Sequence, residues 1–486
     1  MKIAMLTSEC NPLYKTGGLA DVVYSLTKKL IELGDEVVIV LPYYKNDNVR
    51  FESEPKKIAE YNIFMSWRKQ YVGLYEYQLG NVKFYLIDNE FYFKRDNLYG
   101  WGDDTERFAF FSMAAVEALV AIGFKPDVLH IHDWQVGMVP CYIKERFNLR
   151  ESFFHRTKSV LTIHNPAFKG MMDKYCLNNY YGLNDSLFDS GVVRFDGQVS
   201  TLKAAIAYAD IITTVSPTYR DELLNYSTSQ GFKYCLELRK DDFYGIVNGL
   251  DTDEFNPKTD EYITRMYNPR SFVLGKQQCK RETIKKLGLS TKEKDKNNPL
   301  ISMVTRLTDQ KGMDLVIQII PELVQRNCFV AILGSGDPYI QQKLEQLRDR
   351  YPSNVALYLG FNNVLAHQLY AGSDLFLMPS LFEPCGIGQI IAQRYGTLPI
   401  VRETGGLKDT VVGYNPVISN SKKATGFSFI DYDINGLRYA VNVALDLYNN
   451  DEETFRTIIH NAINLDRGWE ESAKKYQDIY RKAMAK

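Results

Sequence analysis

MKIAMLTSECNPLYKTGGLADVVYSLTKKLIELGDEVVIVL, residues Met1–Leu41, decides the fold. Lys2–Thr7 is an apolar run that reads as a strand. Asp21–Leu33 carries apolar residues at helical spacing and stops near Gly34, and Glu36–Leu41 (EVVIVL) is a second strand. Strand, loop, helix and strand make a βαβ unit, which implies a parallel sheet. Lys15-Thr16-Gly17-Gly18 stands in the loop ahead of the helix. Paired glycines let the backbone approach a ligand closely, and the N–H groups of a helix start beside a lysine favour an anion. The spacing is neither G-x-G-x-x-G nor G-x-x-x-x-G-K-[ST]. That argues against an NAD dehydrogenase or a P-loop NTPase and for another nucleotide-using class. A plain tight turn is the alternative reading of the same glycines.

Working outward, 486 residues are too many for one hydrophobic core, so two domains are expected. An apolar content of 45% and a charged content of 24% suit a globular enzyme. The formal net charge of −1 provides no global field for nucleic acid or an anionic membrane, so neither is expected as a partner and phosphate recognition must be local. No apolar run reaches the ~20 residues of a spanning helix. The first residues form a strand and lack a signal peptide's apolar stretch and cleavage site, so a cytoplasmic location is expected. Seven cysteines, none in C-x-x-C, read as reduced thiols, not as a disulfide frame or a zinc site.

After the opening unit come a hairpin region at Gln70–Asp88, a helix at Thr105–Ile122, and short buried strands at Val128–Ile131, Ser159–Ile163, Ile211–Val215 and Tyr244–Val247. The charged stretch Thr291–Pro299 reads as a solvated loop, after which the rhythm restarts. Strands are expected at Leu300–Val304, Phe329–Leu333, Val355–Leu359, Asp374–Met378 and Leu398–Val401, with helices between them, including Gly386–Tyr395 and Gly406–Val412. Trp469–Ala485 is a terminal amphipathic helix. The expected class is α/β, with two Rossmann-like doubly wound domains facing across a cleft. The expected boundaries are 1–245, 246–468 and 469–486, the last a helix that can pack back on the N-terminal domain.

Ligands of such sheets bind at the carboxyl ends of the strands. Those ends carry Glu9 and Lys15, then His132, Asp133 and Trp134, then His164 and Asn165, then Asn248. In the second half they carry Arg306, Gln310 and Lys311, then Glu383-Pro384-Cys385-Gly386, then Thr404-Gly405-Gly406. Arg306 and Lys311 share one loop ahead of a helix, where a cation is unfavourable without an anion, so the pair suits a diphosphate. Solvated loop charges are the plainer reading. Glu383 heads a helix start, where its carboxylate is either a cap or a grip on two sugar hydroxyls. Cys385 reads as a space-filler. His132-Asp133-Trp134 lacks further ligands at suitable spacing, so no metal is expected. The charge of a leaving group must then be met by Lys and Arg.

Nine motifs in order resemble the bacterial glycogen synthases and plant starch synthases, retaining glycosyltransferases of the GT-B fold. They are Lys15–Asp21 (KTGGLAD), Glu106–Phe111 (ERFAFF), His130–Trp134 (HIHDW), Thr162–Asn165 (TIHN), Ser216–Tyr219 (SPTY), Asn248–Asp251 (NGLD), Thr305–Gly312 (TRLTDQKG), Phe382–Gly386 (FEPCG) and Thr404–Asp409 (TGGLKD). The resemblance implies transfer of glucose from ADP-glucose to the nonreducing 4-hydroxyl of an α-1,4-glucan such as glycogen, with retention and without a metal or other cofactor. It implies an acceptor-side N-terminal domain and a donor-side C-terminal one. Residue by residue, it implies that Lys15, with Gly17 and Gly18, binds donor. Arg306 and Lys311 would clamp the diphosphate, Glu383 hold the glucose hydroxyls, and His164 lie beside the anomeric carbon. Asp133 and Asn248 match further cleft positions, and Gly386, Thr404 and Gly405 the donor loop. Asp21 matches too, although a helix cap explains it equally well. Glu9, Gln310 and Cys385 complete the candidates.

Two departures stand out. Ile387-Gly388-Gln389 replaces the family's Leu-Thr-Gln and removes a hydroxyl, and Gly231-Phe232-Lys233-Tyr234 replaces Gly-Leu-Asp-Gly. Three other readings remain: a related transferase using UDP-glucose or a lipid, a glycoside hydrolase, and a glucan- or nucleotide-binding regulator. The hydrolase needs two carboxylates flanking the bond, whereas basic residues dominate the proposed centre.

Overall fold

The structure, a computed structural model, describes residues 1–45, 49, 51–146, 153–225 and 228–486. The chain divides into two compact units, Met1–Gly249 with Trp469–Lys486, and Leu250–Gly468. Each has its own apolar core.

In the first unit, β1 (Lys2–Leu6), β2 (Glu36–Pro42), β3 (Lys56–Met65), β4 (Arg68–Leu79), β5 (Val82–Asp88), β6 (Val128–His132), β7 (Lys158–Ile163), β8 (Ile211–Thr214) and β9 (Phe243–Gly245) form one sheet. Their order is β9-β8-β7-β6-β1-β2-β5-β4-β3. From β9 to β5 the pairs are parallel, and β5, β4 and β3 are antiparallel. β1 is apolar because both its faces are covered, so only Lys2 at its start is exposed. The expected hairpin is β4–β5. Strand β3 escaped the sequence reading: it is an outer strand whose charged residues face water, which blurs the apolar alternation.

Helix α1 (Gly18–Glu32) takes in the expected periodic stretch and buries Leu19, Val22, Val23, Leu26 and Leu30, a single stripe at helical spacing. It stops before Gly34, whose φ of +94° suits glycine. Helix α2 (Asp104–Ala121) is buried on nearly every side.

The second unit is a six-stranded parallel sheet of β10 (Leu300–Val304), β11 (Phe329–Gly334), β12 (Val355–Leu359), β13 (Leu375–Met378), β14 (Leu398–Arg402) and β15 (Phe427–Phe429). The order is β12-β11-β10-β13-β14-β15. Helices α3 (Met313–Gln325), α4 (Gly388–Arg394) and α5 (Gly405–Thr410) follow β10, β13 and β14. The sequence reading did not assign helices Phe272–Lys286, Ile434–Asn450 and Glu452–Ile463, nor β15.

Both sheets reverse direction once. The chain runs outward from β1 through β2 and from β6 the other way, and likewise from β10 and from β13. In open α/β sheets ligands bind at such switch points. The loops that matter are therefore those after β1 and β6, and those after β10 and β13.

Helix α6 (Trp469–Met484) belongs to the first unit, where it buries Trp469, Ala473, Tyr476, Ile479 and Tyr480. Lys29 pairs with Glu470 at 2.9 Å, Gln477 Nε2 donates to Asp35 at 2.7 Å, and Ser472 Oγ donates to the Val247 carbonyl at 2.7 Å. At Gly249 a Cβ would stand 2.7 Å from Trp469 Cα, so only glycine lets the helix seat there. Ile246–Gly249 stay with this unit, beyond the end of β9. No helix among the described residues is long and apolar enough to cross a membrane. Trp469→Ala is expected to cost about 3–5 kcal/mol in denaturant unfolding, the range for emptying a large buried site. A loss below about 1 kcal/mol, typical of a surface change, would show that α6 does not support the core.

Candidate active site

In the first unit, the loop after β1 folds over its own carboxylate. Glu9, only 4% exposed, accepts from the Thr16 amide at 2.5 Å and the Thr16 hydroxyl at 2.9 Å, and the Gly17 amide adds a third bond. Burial pushes the Glu9 carboxyl up against the pull of these donors. The amides of Thr16 and Gly17, just ahead of the helix start, thus already hold an internal anion. Lys15 pairs with Asp21 at 2.8 Å. The cap of α1 is Gly17, not Asp21, which sits in the first turn where the helix dipole favours it. Gly17 has φ −156°, and a Cβ built on it would meet nothing within 4 Å. Neither strain nor packing demands glycine there, which leaves room for an incoming group. Gly18 is the first residue of α1.

Across the switch point, β6 ends at His132 and Asp133 follows it. Asp133 has φ +58° and ψ −167°, a region that non-glycine residues enter only at a cost of about 1–3 kcal/mol. The turn aims its carboxylate at the end of β7, where Oδ1 accepts from the His164 amide at 2.7 Å and the Asn165 amide at 3.4 Å. Burial lifts the Asp133 carboxyl to about 7, opposed by those two amides and helped by Glu9. Burial also lowers His164 to about 3, so its imidazole is neutral at physiological pH. His132 Nδ1 and His164 Nε2 are 3.0 Å apart and hydrogen-bonded. Asn248, also buried, keeps its Oδ1 without a partner.

In the second unit, the loops after β10 and β13 meet through an ion pair. Lys311 Nζ lies 2.6 Å from Glu383 Oε2, with side chains 14% and 7% exposed. Ser380 Oγ donates to the same oxygen at 3.1 Å, and the Glu383 carbonyl accepts from the Gly406 amide at 3.1 Å. Glu383 is thus no helix cap; Ile387 caps α4. The anion that a cation ahead of α3 requires is, in this structure, the Glu383 carboxylate. Gln310 ties the two loops together, donating to the Phe382 carbonyl at 3.3 Å while its own carbonyl accepts from the Leu381 amide at 2.9 Å. Arg306 is exposed and pairs with no carboxylate among the described residues. Thr404 caps α5. Gly405, at φ +45°, could hold no Cβ, which would fall 1.9 Å from the Glu383 carbonyl oxygen. Gly386 takes φ +73°, and Cys385 is buried.

The structure therefore gathers Glu9, Lys15, Gly17, Asp21, Asp133 and His164 at the first switch point. At the second it gathers Arg306, Gln310, Lys311 and Glu383, with Gly386, Thr404, Gly405 and buried Cys385 on the adjoining loops. Three partners were missed as site residues: Thr16, His132 and Ser380. His130 and His132 stand two apart on β6, so both address one face of the sheet, a signal present in the sequence. At the Gly388 departure a Cβ would lie 3.2 Å from Phe376 Cε1 and 3.5 Å from Met378 Sδ, close enough that those side chains would have to shift slightly. In the altered 231–234 stretch, Gly231 takes φ +91° against the Phe195 ring, and Tyr234 is exposed.

Residues 2–237 match the family described as starch synthase catalytic domain, and residues 289–463 match glycosyl transferases group 1. A glycogen synthase from Clostridium beijerinckii is 42% identical over 99% of this chain and 99% of its own length. One from Geobacillus stearothermophilus is 41% identical over 100% of this chain and 98% of its own. Among solved structures, the catalytic domain of starch synthase IV from Arabidopsis thaliana bound to ADP and acarbose superposes with a TM-score of 0.92. It is 32% identical and covers 100% of this chain and 99% of that one.

The Asp133 carboxyl yields a prediction about pH. Its folded pKa, about 7, lies above the ordinary 3.8, so the folded state keeps a proton that the unfolded chain releases. Its contribution to stability is therefore present at low pH and lost as pH rises from about 4 to about 7. Asp133→Asn removes this titration and keeps an oxygen for the His164 amide. Relative to the parent protein, the variant is expected to be more stabilised at pH 8 than at pH 5 in denaturant unfolding. An identical difference at the two pH values would contradict the burial of this carboxyl.

Proposed function

The chain belongs to the glycogen and starch synthase family of glycosyltransferases, and on that premise we propose that it transfers glucose from ADP-glucose to the nonreducing 4-hydroxyl of an α-1,4-glucan, with retention of configuration. The observation that carries this reading is the second unit's switch point, where the Lys311–Glu383 pair and the unpaired Arg306 share adjoining loops. The ADP and acarbose bound to the plant starch synthase catalytic domain support the choice of nucleotide and of glucan.

Breaking the donor's anomeric bond develops positive charge on that carbon and negative charge on the departing ADP. Arg306 and Lys311 offset the latter, so no metal or other cofactor is proposed. In a site shielded from water, each such contact supplies about 3–4 kcal/mol, a hundredfold or more in rate. Glu383 accepts from the glucose hydroxyls and at the same time holds Lys311 in place. Its role is to anchor, not to form a covalent bond. The acceptor hydroxyl attacks from the face that the diphosphate leaves, and a phosphate oxygen takes its proton, which gives retention. Lys15 and the space over Gly17 complete the donor's surroundings in this proposal, and His164 lies beside the anomeric carbon.

Purified protein incubated with labelled ADP-glucose, then UDP-glucose, each with and without glycogen, tests the reading. Label is expected in glycogen, and from ADP-glucose in preference. Incorporation from UDP-glucose alone would overturn the donor assignment, and free glucose without incorporation would indicate hydrolysis. Lys311→Ala is expected to lower kcat about a hundredfold and leave the glucan KM nearly unchanged. A raised glucan KM with full kcat would contradict the clamp. Gly17→Ala should keep the unfolding midpoint, since its Cβ meets nothing, while impairing donor use.

A further inference from the structure

His132 is fully buried, and its Nε2 has no hydrogen-bond partner. Its one hydrogen bond runs from Nδ1 to His164 Nε2 at 3.0 Å. Its neighbour along the strand face, His130, is anchored on both sides, with Nδ1 2.9 Å from the Tyr480 hydroxyl and Nε2 2.6 Å from the Thr162 hydroxyl. The His130 and His132 rings lie 4.2 Å apart between centroids, so His132 is packed against a fixed partner. The next residue, Asp133, holds the His164 amide at 2.7 Å. Two consecutive residues at the end of β6 thus grip the residue that follows β7: the Asp133 carboxylate holds the His164 amide and the His132 ring holds the His164 ring.

We propose that His132 is a positioning residue: it donates from Nδ1 to His164 Nε2 and so holds the His164 imidazole in a single orientation as its Nδ1–H tautomer. The bond carries one proton, and there are two ways to place it. If His164 donated, His132 would be left with a buried N–H and nothing to receive it. If His132 donates, its orphan atom is a bare nitrogen lone pair. Orphaned buried N–H groups are the rarer and costlier of the two. The second arrangement leaves His164 with an N–H on Nδ1 as its remaining polar atom. The consequence for catalysis rests on the function proposed above, whereas the hydrogen bond itself does not.

Nitrogen-15 spectra of histidine-labelled full-length protein, with the His164 signal assigned by the H164Q variant, read the tautomer directly. Nδ1–H is expected in the parent protein. His132→Asn keeps an N–H donor near the position of Nδ1 and should preserve both the tautomer and most of kcat. His132→Leu fills the space without a donor. It should abolish the single tautomer and lower kcat about tenfold to a hundredfold, with the ADP-glucose KM changed less than about twofold. An Nε2–H tautomer in the parent protein would overturn the proposal. So would an unchanged kcat in His132→Leu, or equal losses in the two variants, which would indicate packing alone. A parent protein that shows the Nδ1–H tautomer yet transfers no glucose would overturn the proposed function and sustain the hydrogen bond.

Discussion

A lysine ammonium and a glutamate carboxylate 2.6 Å apart, both nearly removed from water, tie the two loops at the second unit's switch point. Such a pair persists only when its other lone pairs and donors are also met, and breaking it leaves a buried charge worth about 3–5 kcal/mol. The surroundings meet that demand. Ser380 donates to the same carboxylate, Gly406 fixes the Glu383 backbone, and Gln310 links the loops on either side. Even the glycine at 405 follows from it, since a side chain there would collide with the Glu383 carbonyl. The charges that the proposed reaction uses are held ready by each other before any substrate arrives, so little reorganisation is needed when the leaving group becomes charged.

The first unit solves its problem differently. Beside the half-exposed Lys15–Asp21 pair, its strand ends carry carboxylates gripped by backbone amides. Glu9 holds the loop after β1, and Asp133 holds the end of β7 from a backbone conformation that costs energy to maintain. Burial raises both carboxyls and keeps His164 neutral. The result is a buried set of carboxylates, amides and imidazoles, in contrast to the cationic loops of the second unit. In the proposed reaction, the first unit orients and the second stabilises charge.

Much of this can be read along the chain, because apolar strands that stop at a polar residue announce their own carboxyl ends. Lys15, Asp133, His164, Arg306, Lys311 and Glu383 all emerge in that way. The pairing of strands does not, since it depends on contacts remote in sequence. Lys311 and Glu383 are 72 residues apart, and only the adjacency of β10 and β13 brings them together. For the same reason Glu383 looked like a cap and Lys311 like a cation awaiting an external anion. Strand β3 and the helix at 272–286 were hidden because mixed polar faces dilute the periodic signal, whereas the helices at 434–450 and 452–463 do carry an apolar stripe at helical spacing.

The central claim is that the glucosyl group departs from a cation-stabilised diphosphate and is captured on the face it left, with Glu383 as an anchor and no covalent intermediate. The most direct test is the anomeric configuration of the first linkage made, read by proton NMR after the protein extends a short maltooligosaccharide with ADP-glucose. The account predicts a new α-1,4 linkage. A β linkage, or glucose released to water in place of chain extension, would contradict it.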